Sequence, residues 1–493
     1  MCATFHFASA SDRGRNHGVH LKVWSSFSCV RAPHSNTNQL DSPHSKPLTR
    51  PALVTLYASE SGRARNVCKS TQTNIILESL MRKSHCTILI ATTLSFFCLA
   101  DVVQCATSLA LHTRAMSGTS DMLTPLAFGA KADGITDDVA ALNNMYTAAR
   151  SKKTSVFLRG RQYRVTGQLD ARGVSTIGEG AIIKFDLSNT KSPNAFIWGG
   201  SDTFVTETSF DLSNTGRDAM LGITNSAAGA SNQRFYRNHI VCRTRITSQS
   251  QSNIYGLWIT GTGLSGFYVE DNQIEGCSYG IQFNVQDGIT RNVRTRAAGK
   301  PISHVHITGN SLIDATIGVN TPHADVSDVV IDGNTITPNT LKLDLPLNIA
   351  HATKITISNN SVTSNANSSN GTLHIEDCSG AVTISGNNVA AQGRNNGIQI
   401  GIKPNISHDS APTTRIVVTG NHIEGVVDTP ETIGILLPDA VTIDTTISGN
   451  YIAHFSQCIN SVGPSNISSN TLIGCIEPTK SQKSLIFNNM IKN

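Results

Sequence analysis

Charge is scarce in this sequence: only 15% of its 493 residues are Asp, Glu, Lys or Arg, and aromatics make up 5%. Beside plentiful Gly, Asn, Ser, Thr and Ile, that scarcity argues against a helical protein and for short strands joined by polar turns. A basic surface is missing as well, although the formal net charge is +5. Residues 1–80 carry nine Lys/Arg against four Asp/Glu and residues 81–123 three against two, so the rest of the chain stands at −1. A region that close to neutral offers no nucleic-acid surface. The cysteines form no CxxC pair and no Cys/His spacing of a metal site. Six of the eleven lie before Thr124, leaving Cys242, Cys277, Cys378, Cys458 and Cys475. Cys458 and Cys475 take equivalent places in neighbouring repeats and could stack or bridge. No Gly-rich phosphate loop and no nucleophile elbow occurs.

A long apolar run is also absent. The best candidate lies in "MRKSHCTILIATTLSFFCLADVVQCATSLA", where a basic start at Met81–Lys83 precedes an apolar run from Thr87 to Ala100. Small residues suited to cleavage follow, at Cys98/Ala100 or Ser108/Ala110. The run is short for a membrane span of about 20 residues and has the layout of a secretory signal peptide. The expected organisation is a disordered or non-native extension over 1–80 and a signal peptide over 81–110. An N-terminal cap with the first coils follows over 111–185, then repeats over 186–493. The mature protein is expected to be secreted, periplasmic or cell-surface, with no stable membrane span.

What the sequence does have is a repeat. The skeleton aliphatic–x–x–Asn–x–aliphatic occurs ten times, at Asn238, Asn272, Asn310, Asn334, Asn360, Asn387, Asn421, Asn450, Asn470 and Asn489. The spacings run from 19 to 38 residues. A fixed short motif at an irregular period indicates a solenoid whose coils differ in their loops. Each motif alternates apolar and polar positions over about five residues, as a strand does. A second strand type lies between the motifs, for example "YGLWI" (255–259), "YGIQF" (279–283), "TLHIE" (372–376) and "NGIQI" (396–400). Coils whose strands run parallel to those above make an all-β parallel β-helix with an Ile, Val and Leu core. The recurring Asn is placed at a bend between strands, where it tolerates left-handed backbone and its amide bonds along the stack as a ladder.

With these residues in view, the chain resembles the right-handed parallel β-helix proteins of the pectin-lyase-like superfamily. A second anchor is "LAFGAKADGITDDVAALNNMYTAA" (126–149), similar to the "FGAKGDGxTDDTxAI" motif of the pectate-lyase-3 type and of many phage tailspikes. Here Ala132 replaces the family's second Gly. Gly134 permits a tight turn, and Thr136 or Asp137 can cap a helix from about Asp138 to Ala149. Asp133, Asp137 and Asp138 read as turn and capping residues rather than a calcium loop. The helix is expected to close the N-terminal end of the solenoid. The last residues, "NNMIKN", stop inside a motif, so the final coil is expected to need a cover from elsewhere, either further chain or a partner copy in a homo-oligomer.

Chemistry is sought on one outer sheet. Taking Leu257, Ile281, Val319, Leu347, Leu373, Ile398 and Ile435 as inward, the next residues form an outward column of Trp258, Gln282, Asn320, Asn348, His374, Gln399 and Leu436. Two residues further on lies a second column that includes Ala350, Glu376 and Gly401. Amides and an indole suit a long polysaccharide, through paired hydrogen bonds and ring stacking. Solvent exposure alone also accounts for Asn and Gln columns. The densest titratable cluster is His374, Glu376 and Asp377, with His351 one coil earlier and Lys342 and Asp344 in the preceding loop. Glu376 with Asp377 or Asp344 could serve glycoside hydrolysis. His374 or His351 with Lys342 could serve elimination, where Ca2+ is a further expectation; otherwise no cofactor is called for. A solvated surface cluster is the plain alternative. His304-x-His306 has a spacing a metal could use, without a third ligand. The polygalacturonase and alginate-epimerase signatures are missing from the repeats, "YGIQFN" (279–284) being a faint echo of the latter. The expectation is therefore an exported lyase or glycoside hydrolase, or else a glycan-binding or tailspike-like scaffold.

Overall fold

The computed structural model describes two short strands, Leu21–Val23 and Val54–Leu56, and most of residues 122–492. Within the latter range it leaves out 188–193, 215–221, 243–254, 284–300, 321–325, 351, 377, 402–414, 428, 439–443 and 482. The first two strands pair antiparallel with each other and belong to a separate unit. The expected signal peptide lies outside the described residues.

From Leu123 onward the chain winds as a right-handed parallel β-helix. Helix α1 (Val139–Lys152) stands at its start, as the sequence predicts. It buries Leu142, Met145, Tyr146 and Ala149, the 3–4 spacing of one helical face, and Tyr146 meets Phe196 edge-on at 6.1 Å. The two adjacent aspartates do different work. Asp137 accepts the Val139 N–H at 3.2 Å, next to the helix start. Asp138 is buried and turns back to accept the N–H groups of Lys131 and Ala132, at 2.7 and 3.0 Å. Ala132, where the resembling family has Gly, takes a left-handed conformation at φ +53°.

One wall, sheet A, is a parallel array of twelve strands. In chain order they are β1 (Leu169–Asp170), β2 (Phe196–Trp198), β3 (Ile223–Asn225) and β4 (Tyr255–Ile259). Next come β5 (Tyr279–Phe283), β6 (Ile317–Asn320), β7 (Leu347–Ala350) and β8 (Gly371–Glu376). The last are β9 (Asn396–Gly401), β10 (Ile433–Leu437), β11 (Gln457–Ser461) and β12 (Glu477–Ser481). The other walls meet at the asparagine turn; Ile302–Thr308 precedes Asn310, for example, and Ser311–Ile313 follows it.

The ladder is continuous. Each motif asparagine from Asn238 to Asn470 sends both its backbone N–H and its Nδ2 to the Oδ1 of the next, at 2.9–3.3 Å. Each Nδ2 also donates to a backbone carbonyl, such as Ile331 O from Asn360. The backbone corrects one detail. The left-handed residue is the one before each ladder asparagine, with φ between +53° and +67° at all ten turns, five of them Gly. The asparagine itself keeps ordinary φ, so its side chain points into the corner of the coil and its amide reaches the neighbouring coils.

The later coils have a mainly aliphatic core that includes Phe455. Phe196, Phe210, Phe235, Phe267 and Phe283, with Trp198, fill the early ones, ring against ring. Among the described residues two disulfides staple consecutive coils, Cys242–Cys277 and Cys458–Cys475. Cys458 and Cys475 do not hold the equivalent places expected, since Gln457 pairs with Glu477; Cys242 and Cys277, four and five residues after their ladder asparagines, come closer to that. At the last described coil Leu485, Ile486, Phe487, Met490 and Ile491 are exposed.

Candidate functional site

The register of sheet A sets which side chains share a row. Trp258 pairs with Gln282, Gln282 with Gly318, Gly318 with Asn348, Asn348 with His374 and His374 with Gln399. Asn320 is therefore not in this row: it pairs with Ala350, which pairs with Glu376, in the second row. The expected alignment put Val319 opposite Leu347, whereas Ile317 stands there. Ile317 and Val319 both face inward, and a slip of two residues preserves the pleat, so apolar alternation cannot detect it. The Asn320 side chain, His351 and Asp377 lie outside the described residues.

Gly318 has a local consequence. A Cβ built there would stand 2.1 Å from Gln282 Oε1, so the glutamine amide occupies the notch that the missing side chain leaves. Gln282 Nε2 donates to Phe283 O at 3.1 Å. On the other side of the notch Asn348 Oδ1 is buried and has no hydrogen-bond donor among the described residues.

Trp258 is not the exposed platform the sequence suggested. It is 8% exposed, its ring stacked on Tyr255 at 5.0 Å, and its Nε1 is buried without an acceptor among the described residues. Tyr255 in turn stacks on Tyr279 at 4.9 Å, and Tyr279 is half-buried. The aromatic row thus ends at Tyr279, a residue the sequence reading passed over. The signal for it was the repeated "YG" that opens both β4 and β5.

His374 is 6% exposed and accepts the Gly371 N–H on Nδ1 at 3.3 Å. A neutral imidazole that accepts on Nδ1 carries its proton on Nε2, which lies 3.4 Å from Glu376 Oε2. Glu376 closes β8 with a side chain 48% exposed. The carboxyl, not the ring, is the group a solute can reach.

Asp344 is held elsewhere. It accepts Ser368 Oγ at 2.7 Å and Asn370 Nδ2 at 3.2 Å, while Ser368 also receives Asn395 Nδ2 at 3.0 Å. Asn370 precedes β8 and Glu376 ends it, about 20 Å apart along an extended strand. Asp344 and Glu376 therefore lie at opposite edges of sheet A and do not form the pair considered from sequence. Lys342 is exposed in the loop before Asp344. Gln399 accepts Asn396 Nδ2 at 3.2 Å, on the same side as Asp344. His304 and His306 do not converge: His304 lies 3.8 Å from Asp328, whereas His306 stacks on Tyr268. Among the described residues no group of three or more His, Cys, Asp or Glu could hold a metal ion. Among the same residues no helix is long and apolar enough to cross a membrane.

A right-handed parallel β-helix with a row of amides, a buried indole and a half-open His–Glu pair on one sheet is the class of molecule these features define. No family model matches the chain. A capsule K30/K69-specific depolymerase of Klebsiella phage K64-1 is 30% identical over 149 residues, which cover 27% of this chain and 19% of that protein. The chain thus spans less than a fifth of the length of that curated relative. Among solved structures, the A-module of a mannuronan C-5 epimerase from Azotobacter vinelandii matches 74% of this chain and 99% of its own, at 15% identity and a TM-score of 0.42. The Dettilon tailspike protein matches 72% of this chain and 62% of its own, at 14% identity and TM-score 0.42. PfbA, a surface adhesin of Streptococcus pneumoniae, matches 76% and 92%, at 13% identity and TM-score 0.44.

Proposed function

We propose that this protein binds an extended bacterial polysaccharide along sheet A and cleaves it, with Glu376 as the acid–base group. The observation that carries the reading is the half-exposed Glu376 carboxyl, 3.4 Å from buried His374 Nε2 and beside the row of amides on sheet A. The row lies beside Glu376, and the curated relative is named a capsule depolymerase.

The roles follow from access. Glu376 would give a proton to the departing glycosidic oxygen in hydrolysis, or take one in elimination. His374 holds that carboxyl from behind and is a positioning residue. Tyr279 offers the free end of the aromatic row to a sugar ring. Hydrolysis also needs a second carboxyl across the bond. Asp344 is too far along the sheet for that part, which favours as a second reading a sheet that binds without cutting. Whether the reaction is hydrolysis or elimination, and whether the protein works at a cell surface or on a phage particle, are parts of the proposal.

The test is to incubate the full chain with a panel of capsular polysaccharides and follow ultraviolet absorbance and reducing ends together, with Glu376→Gln as control. New ends with absorbance indicate elimination, and ends alone indicate hydrolysis. Binding without either, equal in wild type and Glu376→Gln, replaces the enzyme with a binding scaffold.

A further inference from the structure

The wall that precedes the asparagine turn carries, in its first coils, outward side chains unlike those that follow. Arg234, Tyr268 and His306 are consecutive rungs of one outward column, and Tyr236 and Glu270 are consecutive rungs of the next. In the four coils that follow, the same columns hold Val, Thr and Ser, with a single Asp. Those small residues already satisfy a solvent-facing strand, so the bulky and charged groups exceed what the fold requires.

Their arrangement is specific. The Arg234 guanidinium lies 4.8 Å over the Tyr268 ring, which stacks on His306 at 5.1 Å and 22°. This stack fixes the plane of the guanidinium. The Glu270 carboxyl stands 3.7 Å from Arg234 Nη1, wider than the roughly 2.7–2.9 Å of a closed charge-assisted bond. The two side chains are 33% and 28% exposed, and Arg234 Nε is buried without an acceptor among the described residues.

We propose that Arg234 and Glu270 form a second saccharide-binding site, separate from sheet A, that recognises a pair of neighbouring hydroxyls on a neutral sugar. One hydroxyl oxygen accepts from Arg234, and a hydroxyl hydrogen is donated to Glu270. The pair is already balanced in charge, so a sugar carboxylate would gain Arg234 only to meet Glu270. Burial pushes the Glu270 carboxyl up from its ordinary range, against the pull of Arg234, as expected of a group awaiting a donor. The inference rests on the glycan reading of sheet A, and it adds a second hold on the same polymer. Two sites on one long chain raise avidity without new contacts at either.

The experiment measures binding of the full chain to immobilised capsular polysaccharides, and reducing-end release from short fragments of the polymer that binds. Glu270→Gln keeps the size of the side chain, and Arg234→Met keeps the packing on Tyr268. Each variant is expected to weaken polymer binding roughly ten- to a hundredfold, the worth of a hydrogen bond to a charged group. Release from fragments that reach only sheet A is expected to be unchanged. Polymer affinity equal to wild type in both variants overturns the second site and leaves the sheet A reading standing. A wild type that binds no polysaccharide overturns both.

Discussion

Asn360 shows what a single residue contributes to this fold. Its Oδ1 accepts two bonds from Asn334, and its Nδ2 reaches Ile331 O, Ser358 O and Asn387 Oδ1. Replacement by Ala leaves two donors and the carbonyls around it unmatched in a buried corner. Asn360→Ala is expected to cost about 2–4 kcal/mol, read as a lower denaturant midpoint at constant slope. A change below half a kilocalorie would show that water replaces the amide. Glu270 makes a prediction of opposite sign. Burial raises its pKa above 4.5, opposed by Arg234, reinforced by Asp271 and opposed again by Arg237. The folded state therefore holds this proton to higher pH than the unfolded chain. The stability tied to it is complete below the unfolded value and is lost as pH rises through the folded one. Glu270→Gln should then melt higher than wild type at neutral pH, with the difference vanishing in acid. An equal melting temperature at neutral pH would rule that out.

At the scale of elements, the loops beside sheet A are fastened by particular contacts. Asp314 accepts the backbone N–H groups of Asn339, Thr340 and Leu341 and the Thr340 hydroxyl, at 2.6–3.0 Å. Burial pushes its pKa up, but these bonds outweigh it and hold the carboxyl below 3.8. That stability is present above the unfolded value and lost as pH falls through the folded one. Asp314→Asn should unfold at lower denaturant at neutral pH and speed hydrogen exchange at 339–341, just ahead of Lys342 and Asp344. Unaltered exchange there would mean the loop is held by other bonds. The Cys458–Cys475 bridge closes a short loop with a separation of 17 residues. Its reduction is expected to destabilise the coils it joins by about 3 kcal/mol on the chain-entropy account, measured as exchange confined to those coils. Loss of protection spread evenly over the solenoid would instead indicate one cooperative unit.

At the scale of the whole molecule, sheet A presents twelve strands at about 4.8 Å spacing, a row roughly 50 Å long. Sugars bound in series along it would each add to affinity. Calorimetry with fragments of increasing length should show binding that strengthens until the sheet is spanned. A plateau after one sugar would point to a single pocket instead. The stacked coils also contact mainly their neighbours, so unfolding should spread from coil to coil.

How much of this was legible beforehand differs by feature. The repeated Asn motif determined the solenoid, the ladder and the parallel sheets, because every copy must repeat one local geometry to stack on the next. The "GAKADGITDD" stretch located the turn and α1 for the same local reason. Partnership across coils was another matter. Whether Gly318 or Asn320 faces Asn348 depends on a two-residue slip that leaves the apolar pattern unchanged. That Asp344 and Glu376 end at opposite edges follows from turn geometry and loop length between strands, whereas Trp258 stacks on Tyr255 within β4 itself. The Arg234–Tyr268–His306 stack joins residues 34 and 38 positions apart, brought together only by winding. The sequence specifies each coil through local periodicity, but the rows of a site run across coils, and only the tertiary register aligns them.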